Sequence, residues 1–221
     1  AASLGTALYS NVIAVRTVVA GAEREARSVA DAAAGDVELV LRAVERATLV
    51  RADVVAGAAL DEAQIAALLQ ATVEGPGVVY GAAVAFAPRA FDPAREHVAV
   101  YRFHANAGSA AADLAGPGYR YWEKPWYTAP AATGKAGWTG VYFDEGGGGQ
   151  WMVTYAVPAF REGPAGRGLV AVVTTDVTLD WLHRLVASVK IGDSGYAMIL
   201  TRDGQVLSHP DPRLVRTSLE S

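Results

Sequence analysis

Cysteine is absent from the 221 residues, which excludes thiol catalysis, disulfide frameworks, thiolate zinc sites and Cys-ligated iron–sulfur clusters. A basic excess is missing too. The net charge is −4 and the isoelectric point about 5.6, so nucleic acid is not an expected partner. Lysine is scarce: of 19 basic residues only Lys124, Lys135 and Lys190 are not arginine, which makes each of them more informative than usual. Long apolar runs are lacking. The longest nearly unbroken one, Gly77–Pro88, falls well short of the ~20 residues of a spanning helix, and the Ala1-Ala2-Ser3 start has no signal-peptide pattern.

Catalytic signatures are missing as well. His97, His104, His183 and His209 show no HExxH or comparable metal spacing, and there is no Gly-x-Ser-x-Gly elbow. Gly134-Lys135 lacks the rest of a P-loop, and Gly146–Gly149 reads as a hairpin tip. Asp144 and Glu145 are neighbours, so on a strand or turn their side chains point apart. The expectation is a chain that is not an enzyme and holds neither metal nor cofactor.

What is present is apolar and patterned. Hydrophobic residues make up 52% and charged residues 19%, which excludes disorder. From Ser3 to Arg51 there is no proline, and Leu4, Leu8, Val12, Val15, Val19, Val29, Ala33, Val37, Val40 and Val44 recur at three- and four-residue steps. This spacing predicts one helix of roughly 70 Å; Gly21 and Gly35 weaken it, and a helical hairpin broken at Gly35 is the alternative. A second helix is expected from Asp61, with Gln64 completing a capping box, to Val73. After Gly75-Pro76-Gly77 the period becomes two, giving strands at Val78–Phe86, His97–Phe103, Gln150–Val157 and Leu169–Thr175. Residues 104–149 read as a long irregular insertion, which in compact domains is usually functional. A helix over Leu179–Val189, capped by Thr178, and a hairpin of Gly195–Leu200 with Gln205–Ser208 across Arg202-Asp203-Gly204 complete the pattern. The fold class is α+β, built on one antiparallel sheet. Both ends read as cut from something longer.

One constellation stands out. Tyr119-Arg120-Tyr121-Trp122-Glu123-Lys124-Pro125-Trp126-Tyr127 places five aromatics in nine residues inside the insertion. Such rings either pin a loop over the sheet or wall a ligand cage, in which they exclude water and hold aliphatic or cationic groups.

These residues, with Val141-Tyr142-Phe143-Asp144-Glu145, Val153–Pro158, Leu169–Val177 and Gly192-Asp193-Ser194-Gly195-Tyr196-Ala197, resemble the double Cache family of PAS-like extracellular sensor domains. These belong to bacterial transmembrane histidine kinases, chemoreceptors and sensor phosphatases. The resemblance spans roughly residues 30–210. It implies a long N-terminal helix (1–52), a membrane-distal ligand-binding Cache module (53–190) and the incomplete beginning of a membrane-proximal module (191–221), opened by Gly192–Tyr196. Amino-acid-sensing members carry a pocket motif that falls here on Tyr119, Lys124, Trp126, Tyr127, Tyr142 and Asp176. In it the basic and aromatic side takes the ligand carboxylate and the Asp its α-ammonium. Lys124 replaces the family's Arg, keeping the charge but losing the bidentate fork; a simpler carboxylate or an amine stays open beside an amino acid. Tyr121 and Asp144 are further ligand candidates, Asp144 with a turn role as its alternative and Asp176 with a helix-capping one.

The expected function follows: a periplasmic sensor portion of an inner-membrane receptor, with a histidine kinase as the first output considered. It would bind a small charged metabolite, have flanking transmembrane helices and form a homodimer through the N-terminal helix. Two alternatives stand beside it. One is a carbohydrate-binding module using Tyr121, Trp122 and Trp126. The other is a structural coupling domain that answers a protein partner.

Overall fold

The computed structural model describes residues 2–75, 77–105, 108–164, 166–192, 195–200, 204–215 and 217; the side chains of 2–18 and 212 are left aside. The chain divides into two compact units, Val40–Trp181 and a unit combining Ala1–Leu39 with Leu182–Ser221.

Helix α1 runs unbroken over Ala2–Gly57, which rules out a hairpin at Gly35. A Cβ on Gly21 or Gly35 would meet nothing within 4 Å, so neither glycine serves packing and each costs only its propensity, about 1 kcal/mol. Helix α2, Glu62–Val73, begins at the expected capping box: Gln64 N–H donates to Asp61 Oδ1 at 2.8 Å and Asp61 N–H to Gln64 Oε1 at 2.9 Å.

The larger unit is built on one antiparallel sheet. Its strands are β1 (Gly81–Phe86), β2 (Ala99–Ala105), β3 (Gly108–Ala110), β4 (Gly137–Trp138), β5 (Tyr142–Phe143), β6 (Trp151–Gly163) and β7 (Gly166–Thr178), in the order β3-β2-β1-β7-β6-β4, with β5 also on β6. Every residue of β1 is buried, the mark of a strand covered on both faces. On one face, Val44, Ala52 and Val55 of α1 and Ile65, Leu69 and Val73 of α2 pack on Ala82, Val84, Val157, Ala171, Val173 and Val177. On the other face, Ala83, Ala85, Tyr101, Ala156 and Val172 meet Leu114, Tyr119, Tyr121, Trp126 and Tyr127 of the insertion.

The insertion is therefore not irregular. It contains β3, a 3-10 turn at Tyr121–Glu123, helix α3 over Pro125–Thr133, and β4 and β5. Pro125 occupies the first turn of α3, where its fixed φ suits a helix start. Gly134, at φ 66, closes its end.

Three ties bind α1 to the sheet. The Arg161 guanidinium of β6 donates to the carbonyls of Ala56 (2.7 Å), Val55 (3.3 Å) and Ala58 (3.3 Å). It thereby satisfies carbonyls at an α1 end whose last turn holds no basic residue. The Trp138 indole N–H donates to Glu45 Oε1 at 2.7 Å. The third tie is buried: Thr48 Oγ1 donates to Val44 O (2.7 Å), Thr175 Oγ1 lies 2.7 Å from Thr48 Oγ1, and Arg51 Nη2 donates to both hydroxyl oxygens. Burial lowers the Arg51 pKa to about 10.

Helix α4 spans Leu179–Ala187, with the division between the units falling after Trp181, and in the smaller unit β8 (Ile199–Leu200) pairs with β9 (Val206–Ser208). Thr178 Oγ1 accepts from Trp181 N–H at 3.3 Å, the expected cap. Asp193 and Ser194 of the family segment and Arg202-Asp203 of the hairpin turn lie outside the described residues.

Candidate functional site

The insertion-side face of β7 is set by strand alternation. Val172, Thr174 and Asp176 point one way, while Val173, Thr175 and Val177 point toward α1 and α2. Asp176 is 4% exposed and lies inside the strand, so it caps no helix. Gly81 of β1 stands opposite it in register. A Cβ there would come within 2.5 Å of the Tyr101 hydroxyl and 2.7 Å of Asp176 Oδ2, so the glycine makes the room these groups share.

A cavity of about 260 Å³ opens beside this point, with Tyr119, Lys124, Trp126, Tyr142 and Asp144 in its lining. Two hydrogen-bonded chains organise it. In the first, Trp126 Nε1 donates to the Tyr119 hydroxyl at 3.0 Å, Tyr119 donates to Asp144 Oδ1, and Gly148 N–H donates to Asp144 Oδ2 at 2.6 Å. The glycine tip is held in turn by the Tyr80 hydroxyl, 2.5 Å from Gly148 O. In the second, Thr154 Oγ1 donates to Asp176 Oδ1 at 2.8 Å. With that proton committed, the Tyr142 hydroxyl, 2.7 Å away, donates to Thr154. Asp144 thus lines the cavity, and Asp176 sits deeper, behind Tyr142 and Thr154.

The electrostatics of the two ends differ. At the rim the Lys124 ammonium lies 4.4 Å from the centroid of the Tyr119 ring, and among the described residues no carboxylate pairs with it. Inside, burial and then the charge of Asp144 raise the Asp176 pKa to about 7. Burial first, with the two carboxylates adding, also pushes Tyr101, Tyr119 and Tyr142 upward, so these phenols are neutral donors. Tyr101 is buried with them, and its hydroxyl lies against Asp176 Oδ2, where a hydrogen bond between the two partly offsets the rise of the Asp176 pKa. A cation arriving near the two acids would meet carboxylate oxygen atoms on this side of the sheet. An anion would meet only Lys124.

Of the eight residues expected at the site, Tyr119, Lys124, Trp126, Tyr142 and Asp144 line the cavity, and Asp176 is joined to it through Thr154. Tyr121 and Tyr127 are elsewhere. Tyr121 is fully buried, with its hydroxyl 2.5 Å from Phe86 O, and Tyr127 packs edge-on against it at 5.0 Å. Tyr121→Phe is expected to cost about 1 kcal/mol of stability, seen in denaturant unfolding, with ligand affinity unchanged. Asp144 fills the turn role too, since its backbone carbonyl accepts from Gly147 and Gly149 N–H. Tyr80, Tyr101, Thr154 and Gly148 join the site through the fold and not through any sequence motif. Their signal was weak, because strand alternation assigns a face but not what stands opposite. Trp122 stacks on His97 at 3.7 Å, and Tyr121 and Trp126 are buried, so these rings form no exposed platform for a sugar.

Comparison with known proteins bears on the family and the fold. The family "Methyl-accepting chemotaxis protein-like, first PDC sensor domain" matches residues 65–184, more than half of the chain. The chemotaxis protein PctB of Pseudomonas aeruginosa is 34% identical over 96 residues, covering 43% of this chain and 14% of that receptor. The match therefore spans only a small part of that relative's length. The ligand-binding domain of PctB in complex with L-Gln has the same fold, with a TM-score of 0.59, 23% identity, and coverage of 87% of this chain and 70% of that one. The extracellular domain of a protein described as a histidine kinase superposes with a TM-score of 0.71 at 24% identity, covering 83% of this chain and 69% of its own. A long N-terminal helix, an antiparallel sheet covered on both faces and a matching profile lead to one conclusion: the chain belongs to the methyl-accepting chemotaxis protein-like family of first PDC sensor domains, extracellular sensor modules of the Cache type.

Proposed function

We propose that this domain senses an α-amino acid for a bacterial transmembrane receptor and performs no chemistry of its own. One observation carries the reading: a ring-walled cavity with Lys124 at its rim, which pairs with no carboxylate among the described residues, Asp144 in its lining, and Asp176 joined to it through Tyr142 and Thr154. A zwitterion satisfies both ends, whereas a buried charge left without a partner costs several kcal/mol. The ligand ammonium enters beside Asp144 and Asp176, and the carboxylate meets Lys124. L-Gln bound to the PctB domain is consistent with this class.

Transmission follows from alternation. Asp176 lies on the cavity side of β7, behind Tyr142 and Thr154, and the next residue back, Thr175, holds Thr48 and Arg51 of α1. A shift of β7 on ligand entry therefore reaches α1 directly, biasing a two-state equilibrium. In the receptor, α1 forms the homodimer contact and connects to a flanking membrane span, with the domain on the periplasmic side. Among the described residues no helix is long and apolar enough to cross a membrane. A chemoreceptor output is supported by the identity with PctB, and a histidine kinase output by the likeness to a kinase's extracellular domain.

A thermal-shift screen tests recognition, since a ligand of the folded form alone raises the melting temperature by mass action. L-amino acids are expected to stabilise the domain, and their decarboxylated amines and des-amino acids to do so far less. Lys124→Ala should remove most of the shift while Lys190→Ala keeps it. Equal stabilisation of wild type and Lys124→Ala would contradict the assignment.

A further inference from the structure

A second cleft lies beside the first, at the β4 edge of the sheet. It measures about 390 Å³, shares the wall of Pro125, Trp126, Thr139 and Gly140, and runs past Pro130, Trp138 and Ala156 to Lys135. The shared wall is preformed, because the Trp126 indole is fixed by its bond to Tyr119.

The polar groups along this cleft are nearly all committed elsewhere. The Thr133 hydroxyl donates to Ala129 O at 2.8 Å, and the Trp138 N–H to Glu45. Lys135 is the exception. It is exposed at the mouth, and among the described residues no carboxylate pairs with it. Lys124 and Lys135 thus each lack a carboxylate partner among the described residues, and each stands on one of two clefts that share a wall of tryptophan and proline.

We propose that the second cleft takes the ligand's side chain and that Lys135 selects one ending in a carboxylate, so that the sensed class is an acidic α-amino acid with an extended side chain. This rests on the amino-acid reading above and adds a specificity-determining residue to it. The main cavity supplies one cationic and one anionic end and accounts for the α-substituents. Aromatic and proline surface along the second cleft suits methylene groups, which gain by leaving water. The single cation at its mouth then rewards an anionic terminus and gives a neutral one nothing.

Calorimetry on the 221-residue chain with L-2-aminoadipate, L-glutamate, L-norleucine and L-alanine tests this. Aminoadipate and glutamate are expected to bind more tightly than norleucine. Lys135→Ala should weaken aminoadipate about fivefold, the scale of an exposed ion pair, and Lys135→Glu should weaken it more. Alanine affinity should stay within about twofold in both variants, and added salt should shrink the aminoadipate advantage. Unchanged aminoadipate affinity in Lys135→Glu, or an equal loss for alanine, would overturn the subsite while leaving amino-acid recognition standing. Absence of binding by all four amino acids to wild type would overturn both.

Discussion

Replacing Asp176 by Asn is expected to stabilise the ligand-free domain at pH 8 while weakening amino-acid binding about a hundredfold, the scale of losing one partner of a buried charge pair. The stability effect follows from linkage. Burial, with Asp144 adding, raises the Asp176 pKa to about 7 in the folded state, against about 3.9 in an unfolded chain. Between these values the folded form holds a proton that the unfolded form has lost. Stability from this group is therefore complete below about pH 4 and is lost as pH rises through about 7. Asn mimics the protonated acid and still accepts from Thr154, so the variant escapes that loss. Its advantage, on the order of a few kcal/mol at pH 8, should fade as pH falls toward 4. Denaturant unfolding of both proteins across this range measures it. A variant less stable than wild type at pH 8 would mean that Asp176 holds the fold together rather than the ligand.

Thr175→Val is the complementary change. Its effects are expected in stability and transmission, with recognition spared. The substitution keeps the shape but deletes the hydroxyl that joins Thr48 and accepts from Arg51. A half-buried guanidinium then loses an acceptor, which should cost about 1–3 kcal/mol. Affinity for the amino acid should hold to about threefold, because Asp176 and Thr154 are untouched. Hydrogen exchange gives the telling readout. In wild type, ligand should alter protection along the part of α1 from Val44 to Gly57, and in Thr175→Val that response should largely disappear. A response of full size in the variant would show that the signal leaves the site by another route.

Much of this architecture is legible in the sequence, for reasons that differ by element. Helix α1 announces itself through apolar spacing, and Gly21 and Gly35 do not break it because the chain around them is long and otherwise favourable. Asp61 and Gln64 specify the start of α2 locally, as Thr178 does for α4. Helix α3 is different. Trp126, Tyr127 and Thr128 are indifferent helix formers, and Pro130 lies inside the helix. Aromatic packing on the sheet, not propensity, sets its conformation. The site divides in the same way. Tyr119, Lys124 and Trp126 cluster in sequence and were visible together. Tyr121 and Tyr127 cluster with them but turn into the core, since neighbouring residues on a tight turn face different directions. Tyr101 meets Asp176 only because Gly81 is registered opposite both Phe103 and Asp176, a pairing that no local pattern encodes.

The claim that an ammonium group is held beside Asp144 and Asp176 is tested most directly by counting protons. Calorimetric titration of the domain with an L-amino acid, repeated at pH 6 in buffers of different ionisation enthalpy, gives the number released on binding. A carboxyl of pKa about 7 is mostly protonated at pH 6, and an arriving cation drives its proton off. The account predicts release of about one proton at pH 6, falling toward zero above pH 8, and no release in Asp176→Asn. Binding of equal strength with no buffer dependence at pH 6 would contradict it.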